Sequence, residues 1–136
     1  MSSLPSLEIE ELARRALAED LGPAGGSGDV TSKRIVRAEL PSRGRILAKQ
    51  GGVLAGTAVA ATVFRLVDPA LAIDWKLADG AALTPDATVA ELSGRARAIL
   101  AGERVALNFL QHLSGVATQT AAFVSVCAPH GVKVLC

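Results

Sequence analysis

The chain has 136 residues, of which 50% are hydrophobic and 3% aromatic, and its formal net charge is +1 at pH 7. A chain of this length is long enough for one domain with a sizeable core and too short for two large domains. The near-neutral charge and the scarcity of aromatic residues exclude a nucleic-acid module that relies on a basic surface or on base stacking.

The cysteines and the N-terminal residues bear on the compartment. Cys127 and Cys136 form neither a disulfide framework nor the spacing of a zinc site, and a reducing cytoplasm suits them. The N-terminus carries Glu8, Glu10 and Glu11 instead of the basic and apolar regions of a secretion signal. No uncharged apolar stretch approaches about 18 residues, so no membrane span is predicted. The sequence therefore predicts a cytoplasmic protein without a nucleic-acid or membrane partner.

Residues 6–21 are predicted to form the first helix. Ser6 can cap it, the acidic residues near its start suit the helix dipole, and Gly22-Pro23 ends it. The predicted apolar stripe of this helix consists of Leu7, Leu12, Ala16 and Leu17. The glycine-rich segment 23–31 lacks the Gly-Lys-Ser/Thr ending of a phosphate-binding P-loop, so it is interpreted as a flexible connection.

Strands and a second helix are predicted next. Residues 44–50 predict a strand, which continues after a turn at Gly51-Gly52 into a short extension at residues 53–55. Residues 57–67 predict a helix. Asp68-Pro69 ends it, because the residue before a proline is pushed out of the helical region.

The following segment predicts further strands. Apolar and polar or small residues alternate over residues 71–77, which is typical of a half-buried strand. Asp79-Gly80 predicts a hairpin turn. Residues 87–92 and 95–100 predict two more short strands around Ser93-Gly94.

Residues 102–127 predict one long amphipathic helix, around which the rest of the chain is organised. Glycine inside a helix is unfavourable by about 1 kcal/mol relative to alanine, so Gly115 is interpreted as the site of a close crossing. The apolar residues that recur at steps of three and four are Ala106, Phe109, Leu110, Leu113, Val116, Ala117, Thr120, Phe123, Val124 and Cys127.

The last residues predict a strand that has no partner. After a turn at residues 129–131, the apolar run 132–136 is typical of a buried strand at the start of a parallel repeat. The sequence is therefore expected to be the N-terminal piece of a longer protein. A structural or dimerising role for this piece alone is an alternative.

The long helix also carries the most specific motif. In this motif the chain resembles the quinolinate phosphoribosyltransferases, also called carboxylating nicotinate-nucleotide pyrophosphorylases. The residues that carry the resemblance are Glu103-Arg104-Val105-Ala106-Leu107-Asn108-Phe109-Leu110-Gln111-His112-Leu113-Ser114-Gly115-Val116-Ala117-Thr118, supported by Gly28-Asp29-Val30-Thr31, by residues 48–56 and by the run 132–135.

The resemblance implies an α+β fold. It implies an N-terminal α/β sandwich with an antiparallel sheet and a long helix, followed by the first strand of a truncated α/β barrel. Residues 1–115 would be the N-terminal domain and residues 116–136 the start of the barrel. In that family the active site lies at a dimer interface, where the N-terminal domain of one subunit covers the barrel of the other.

The resemblance also implies an activity in NAD biosynthesis. The family makes nicotinate mononucleotide, CO2 and pyrophosphate from quinolinate and phosphoribosyl pyrophosphate, with Mg2+. Its Thr-Arg-Lys-Thr motif, its other basic substrate clamps and its metal ligands belong to the barrel. No catalytic residue or metal ligand is therefore assigned to this chain, which is expected to be inactive alone and to form a homodimer or higher oligomer when complete.

Arg104 is the one residue assigned to substrate binding by the resemblance. Quinolinate is a planar dicarboxylate, and a guanidinium offers a planar fork of donors that matches a carboxylate. The helix dipole at the predicted N-terminal end would add a preference for an anion. The alternative is a structural ion pair of Arg104 with Glu103 or with another acid.

Other polar residues are weaker candidates. Lys49 is interpreted as a solvated charge beside a turn, and His112 as a histidine whose partner is the backbone. Arg95 and Arg97 are expected to alternate on a strand and face water. Cys127 is expected to be inert core.

Two further families are alternatives. Residues 44–102 resemble half of a lipoyl- or biotinyl-type carrier barrel, which needs a lysine at a hairpin tip. Here the predicted tip is Asp79-Gly80 and Lys76 lies earlier in the strand. The other family is the phosphoribosyltransferase paralogue associated with molybdate transport, whose helix motif is less similar.

Overall fold

A computed structural model describes residues 6–22 and 34–134, and it confirms the predicted mixture of helices with an antiparallel sheet. The predicted glycine-rich connection at 23–31 and Cys136 lie outside the described residues. In chain order the elements are α1 (Ser6–Leu21), β1 (Pro41–Leu47), β2 (Gly52–Val53), α2 (Thr57–Val67), β3 (Ala72–Trp75), β4 (Ala82–Leu83), β5 (Thr88–Arg95), α3 (Ala96–Cys127) and a 3-10 turn (Ala128–His130).

The main sheet has three antiparallel strands in the order β1-β5-β3. The central strand, β5, pairs Ala90 with Ile46 on one side and with Trp75 on the other. Ala90 and Leu92 are buried on one face of β5, whereas Glu91 and Ser93 on the other face are exposed, as expected for an antiparallel strand with one face on the core. The short strands β2 and β4 form a separate antiparallel pair.

Helices α1, α2 and α3 pack against one another, and α3 also contacts β1, β2 and β5. Helices α2 and α3 approach closely at Gly102 of α3, where an added Cβ would lie 2.7 Å from the Phe64 ring of α2. Phe64 is 1% exposed, so this crossing lies inside the core. The buried cluster includes Ala13, Ile46, Leu54, Val63, Phe64, Leu92, Ile99, Val105, Ala106 and Leu110.

The predicted strand at residues 95–100 is wrong, because this segment is the first part of α3. Its alanine-rich sequence has a high helix propensity, and Ala98 and Ile99 continue the buried face that Gly102 and Val105 extend. Ser93-Gly94 is not a turn but lies within β5, where an added Cβ on Gly94 would be 3.3 Å from the Leu71 backbone.

Smaller differences concern β1 and the two other helices. β1 lies a few residues earlier than the predicted 44–50, and α2 has the predicted bounds 57–67. The bounds of α1 are also confirmed, but half of its predicted stripe is wrong, because Leu7 is 79% and Leu12 is 48% exposed. Ala13, which the stripe omitted, is fully buried instead.

The turn at Asp79-Gly80 is confirmed, whereas the hairpin is wrong. Gly80 has a φ of 89°, but β3 pairs with β5 and β4 pairs with β2. The Asp79 carboxylate instead accepts hydrogen bonds from the backbone N–H groups of Gly56 (3.2 Å) and Thr57 (3.0 Å) at the start of α2. The turn therefore connects the two sheets and caps a helix.

The second half of α3 does not have the core environment that its pattern predicts. Ala106 and Leu110 are buried, whereas Val116, Phe123 and Val124 are exposed by 54%, 64% and 45%. Thr120 is also exposed, and Cys127 is only half-buried. Ser114 and Thr118 of this half contact Ala55 and Val53, but residues 119–126 are all exposed, so the end of the apolar stripe is matched by no surface within the described ranges.

Gly115 and the predicted final strand also differ from expectation. An added Cβ on Gly115 would meet nothing within 4 Å, so no close crossing occurs there in the described part of the chain. Residues 132–134 have no strand structure, and 135–136 lie outside the described residues. A parallel strand forms only against a neighbouring strand, and none of the described strands lies beside this run.

We expect the 136-residue chain to self-associate through the exposed half of α3. Phe123 and Val126 are 64% and 68% exposed, and contiguous apolar surface of this kind favours association. Sedimentation equilibrium should show association that weakens in a Phe123→Ser/Val126→Ser double variant, while Leu7→Ser on α1 serves as a control of similar exposure. A wild-type chain that stays monomeric at high concentration would contradict this expectation.

Candidate cleft between the first and last helices

A cleft of about 780 Å³ lies between the end of α1 and the first half of α3. Its polar lining combines carboxylates and carboxamides with one guanidinium. The lining residues are Ala16, Glu19 and Asp20 of α1 and Glu103, Arg104, Val105, Leu107, Asn108 and Gln111 of α3.

Arg104 lies in this cleft with 80% of its side chain exposed. Its Nη1 donates a hydrogen bond of 2.9 Å to Oδ1 of Asp20, whose side chain is 21% exposed. The predicted ion pair with another acid is thus present, and the acid is Asp20. The expected help from the helix dipole is wrong, because α3 begins at Ala96 and the dipole effect is confined to the first turn.

Packing of α3 holds the backbone that carries Arg104. Gly102, Val105 and Ala106 are buried on the opposite side, with Gly102 against the ring of Phe64. A buried helix face fixes the rotation of the helix about its axis. The Cα of Arg104 therefore has a defined position on the side of α3 that faces the cleft. Sequence periodicity alone predicted this rotation correctly around residue 106.

The junction between β5 and α3 is held by Asp68, at the end of α2. Asp68 is 3% exposed and accepts hydrogen bonds from Arg95 Nε (2.9 Å) and from the backbone N–H of Ala70 (3.0 Å). The hydrogen bond from Arg95, followed by the one from Ala70, holds the pKa of Asp68 below its usual value, although burial opposes the shift. The expectation that Arg95 only faces water is therefore wrong.

The lowered pKa of Asp68 predicts a loss of stability in acid. A carboxyl group whose pKa is lower when folded stabilises the fold fully above its unfolded pKa, near 3.9 for aspartate, and loses that contribution as the pH falls through the folded value. We expect Asp68→Asn to lower the urea midpoint at pH 7, and we expect its difference from wild type to shrink below about pH 4. Glu11→Gln, which removes an exposed ion pair with Arg15, is the control. A difference that is constant down to pH 3 would rule out this role for the Asp68 charge.

A second cleft, of about 450 Å³, lies between the β1–β2 connection and the middle of α3. Two hydroxyls of the helix motif hold β2 and the residues that follow it against α3. Thr118 Oγ1 accepts from the Val53 N–H at 2.9 Å, and Ser114 Oγ accepts from the Ala55 N–H at 3.0 Å. Sequence reasoning missed both contacts, since only the fold brings residues so distant in sequence together. Lys49 lines this cleft.

The remaining candidates have other roles or no assigned partner. Arg97 is on α3 and donates through Nε to the Val36 carbonyl at 2.6 Å, so its placement on a strand facing water is wrong. Lys76 forms ion pairs with Asp74 and Glu91, and these carboxylates, Asp74 first, raise its pKa. His112 is exposed on α3.

Among the described residues there is neither a group of metal ligands nor a membrane-spanning helix. Within residues 6–22 and 34–134, no three side chains of His, Cys, Asp or Glu are grouped closely enough to hold a metal ion. Among the helices of these ranges, none has the length and hydrophobicity needed to cross a membrane.

The fold and the motif of α3 agree with comparisons to known proteins. Residues 29–114 match the sequence profile of the family described as "Quinolinate phosphoribosyl transferase, N-terminal domain". The chain belongs to the quinolinate phosphoribosyltransferase family. This match includes Arg104, most of the helix motif and the strands that support it.

Individual members of the quinolinate phosphoribosyltransferase family are similar to most of this chain. Quinolinate phosphoribosyltransferase [decarboxylating] 1b of Nicotiana tabacum is 37% identical over 125 residues, which are 92% of this chain and 35% of the tobacco protein. The probable nicotinate-nucleotide pyrophosphorylase [carboxylating] of Synechocystis is 37% identical over 131 residues, or 95% of this chain and 42% of that protein. The chain thus spans well under half the length of these two relatives.

Solved structures of the family have the same fold. The nicotinate-nucleotide pyrophosphorylase of Francisella tularensis superimposes with a TM-score of 0.85 at 30% identity, over 93% of this chain and 43% of that one. NadC of Streptococcus pyogenes gives a TM-score of 0.84 at 37% identity, over 92% of this chain and 44% of its own. The carrier alternative has no support here, because Lys76 is held by carboxylates on the sheet and not presented at a hairpin tip.

Proposed function

We propose that this chain is the N-terminal part of a quinolinate phosphoribosyltransferase that forms nicotinate mononucleotide, CO2 and pyrophosphate from quinolinate and phosphoribosyl pyrophosphate. The observation that carries the proposal is the exposed guanidinium of Arg104 in the α1–α3 cleft of a chain that belongs to this family. Arg104 would bind one carboxylate of quinolinate.

The chemistry requires orientation more than proton transfer at this residue. The ring nitrogen of quinolinate forms a bond to the ribose carbon while the bond from that carbon to pyrophosphate breaks. The carboxylate next to the nitrogen then leaves as CO2, and a proton takes its place on the ring. A guanidinium that holds a carboxylate fixes the line along which the nitrogen approaches, which is catalysis by positioning.

The charges of the cleft support a site that is completed by other cations. Arg104 shares the lining with the carboxylates of Glu19, Asp20 and Glu103. A dianion meets net repulsion from such a lining, so it needs further positive groups for tight binding. This agrees with an active site at the interface of a homodimer, to which Arg104 contributes from one subunit and a barrel from the other.

The exposed half of α3 also supports an assembly. Its apolar residues, such as Phe123 and Val126, would be covered when the rest of the polypeptide or a second subunit is present. The domain boundary after residue 115 falls inside the continuous helix α3 and stays a prediction.

The need for Mg2+ and the cytoplasmic location also stay predictions. Within residues 6–22 and 34–134, no set of metal ligands is grouped together, and no ligand of Mg2+ is assigned among them. A relative from Arabidopsis thaliana is named as chloroplastic, and one from Nicotiana tabacum is named as mitochondrial. The cellular compartment therefore differs among relatives that are about equally similar to this chain.

The proposal is tested with the complete polypeptide purified from its source. We expect nicotinate mononucleotide and CO2 to form when both quinolinate and phosphoribosyl pyrophosphate are present, and the rate to fall when Mg2+ is chelated. Nicotinate, which lacks the second carboxylate, is the matched control substrate and should react poorly. Absence of turnover with quinolinate, or equal turnover with nicotinate, would contradict the proposed function.

A further inference from the structure

Asp20 lies at the end of α1 and reaches across the cleft to Arg104. It is the less exposed partner, with 21% of its side chain exposed against 80% for Arg104. The last turn of α1 contains no basic residue, and Glu19 and Asp20 lie there instead. Acidic side chains at a helix C-terminus are disfavoured by the helix dipole, so the local sequence of α1 does not account for Asp20.

The contact uses a specific atom of the guanidinium. Asp20 accepts from Nη1, whereas Nε and Nη2 of Arg104 make no hydrogen bond to the described residues. Nε–H and Nη2–H point in the same direction and form the side-on edge of the fork, which can receive both oxygens of one carboxylate. The bond to Asp20 therefore leaves this edge open.

Two other arginines of the chain use the Nε atom of this edge for contacts that hold the fold together. Arg95 donates through Nε to Asp68, and Arg97 donates through Nε to the Val36 carbonyl. Arg104 differs from both because its single hydrogen bond to the described residues is made through Nη1.

We infer that Asp20 is a positioning residue: it holds Nη1 of Arg104 so that the Nε–Nη2 edge is presented to a carboxylate of the substrate. This inference rests on the proposed function and assigns a role to α1 in recognition of quinolinate. Arginine side chains have many rotamers. The contact with Asp20 restricts Arg104 before the substrate arrives, so less side-chain conformational entropy is lost when the substrate binds. The effect is therefore expected in substrate binding and not in the chemical step.

The test compares variants of the complete polypeptide by steady-state kinetics. An exposed ion pair changes an equilibrium by up to about fivefold, so we expect Asp20→Ala to raise KM for quinolinate by about three- to fivefold. The kcat and the KM for phosphoribosyl pyrophosphate should change less than about twofold. Asp20→Asn keeps an acceptor oxygen for Nη1 and should recover part of the loss.

Two controls separate positioning from a structural effect. Glu11→Ala removes a comparable exposed ion pair, with Arg15, from the same helix but away from the cleft, and it should leave KM unchanged. In an Arg104→Ala background, Asp20→Ala should have no further effect on KM, because the group that it positions is gone.

Several outcomes would overturn the inference. They are an unchanged or lower KM in Asp20→Ala, an equal rise in Glu11→Ala, and an undiminished effect of Asp20→Ala without Arg104. If the wild-type polypeptide does not convert quinolinate at all, the proposed function itself fails. If wild type is active and Arg104→Ala raises KM while Asp20→Ala does not, only the role of Asp20 is wrong.

Discussion

Replacing Arg104 by alanine in the complete polypeptide is expected to raise KM for quinolinate by about tenfold or more. A charge-assisted contact of this kind contributes about 1.5–3 kcal/mol, and this chain shows the guanidinium exposed in the α1–α3 cleft. Arg104→Lys keeps the charge but loses the planar fork, so it should restore only part of the affinity. Steady-state kinetics with varied quinolinate measure the effect.

A matched control for Arg104 is available on α1. Arg15 is also exposed and also forms an ion pair, with Glu11, but it lies outside the cleft lining. Arg15→Ala should leave quinolinate kinetics unchanged. If Arg104→Ala behaves like Arg15→Ala, then Arg104 has only the structural role of its ion pair with Asp20.

Replacing Gly102 and Gly115 by alanine should change stability in opposite directions. A Cβ on Gly102 would lie 2.7 Å from the Phe64 ring, whereas a Cβ on Gly115 would meet nothing within 4 Å. Overpacking of a core costs about 1–3 kcal/mol, of which the better helix propensity of alanine offsets about 1 kcal/mol, so Gly102→Ala should lower the free energy of unfolding by up to about 2 kcal/mol. Gly115→Ala should raise it by about 1 kcal/mol, because alanine is the better helix former.

Urea unfolding of the two variants tests this account of α3. Both changes add one methyl group to the same helix, so each serves as the control for the other. Equal destabilisation by the two variants would show that Gly115 also packs closely against another group. A neutral Gly102→Ala would show that the crossing of α2 and α3 is looser than the described contact with Phe64.

Local sequence patterns predict where the helices lie better than they predict how the strands pair. The bounds of α2 follow from a proline after Asp68 and from a compact apolar face, and both signals are local. The sequence pattern places the beginning of α3 too late, because residues 95–100 alternate in a way that is typical of a strand, although their alanines favour a helix. Pairing of β3 with β5 rather than with β4 depends on the whole sheet, which a turn at Asp79-Gly80 cannot reveal.

The candidate cleft could be predicted only in part. Arg104 was identified through the motif of α3, but its partner Asp20 could not be, since only the packing of α1 on α3 brings these residues together. The same limit applies to Ser114 and Thr118, whose hydroxyls hold β2 and the residue Ala55 that follows it. The stripe that includes Val116 and Phe123 predicts a buried face, yet both residues are exposed, because hydrophobic periodicity shows that a helix face is apolar but does not show what packs against it.

The most direct test of the proposed role of Arg104 is complementation in mixed dimers. An Arg104→Ala chain is combined with a chain that carries an intact Arg104 and a disabled barrel. If Arg104 acts across the subunit interface, each mixed dimer contains one intact site, and quinolinate turnover should recover to roughly one working site per dimer. Dimers that form but show no recovered turnover would contradict the claim that this chain supplies Arg104 to the active site of its partner.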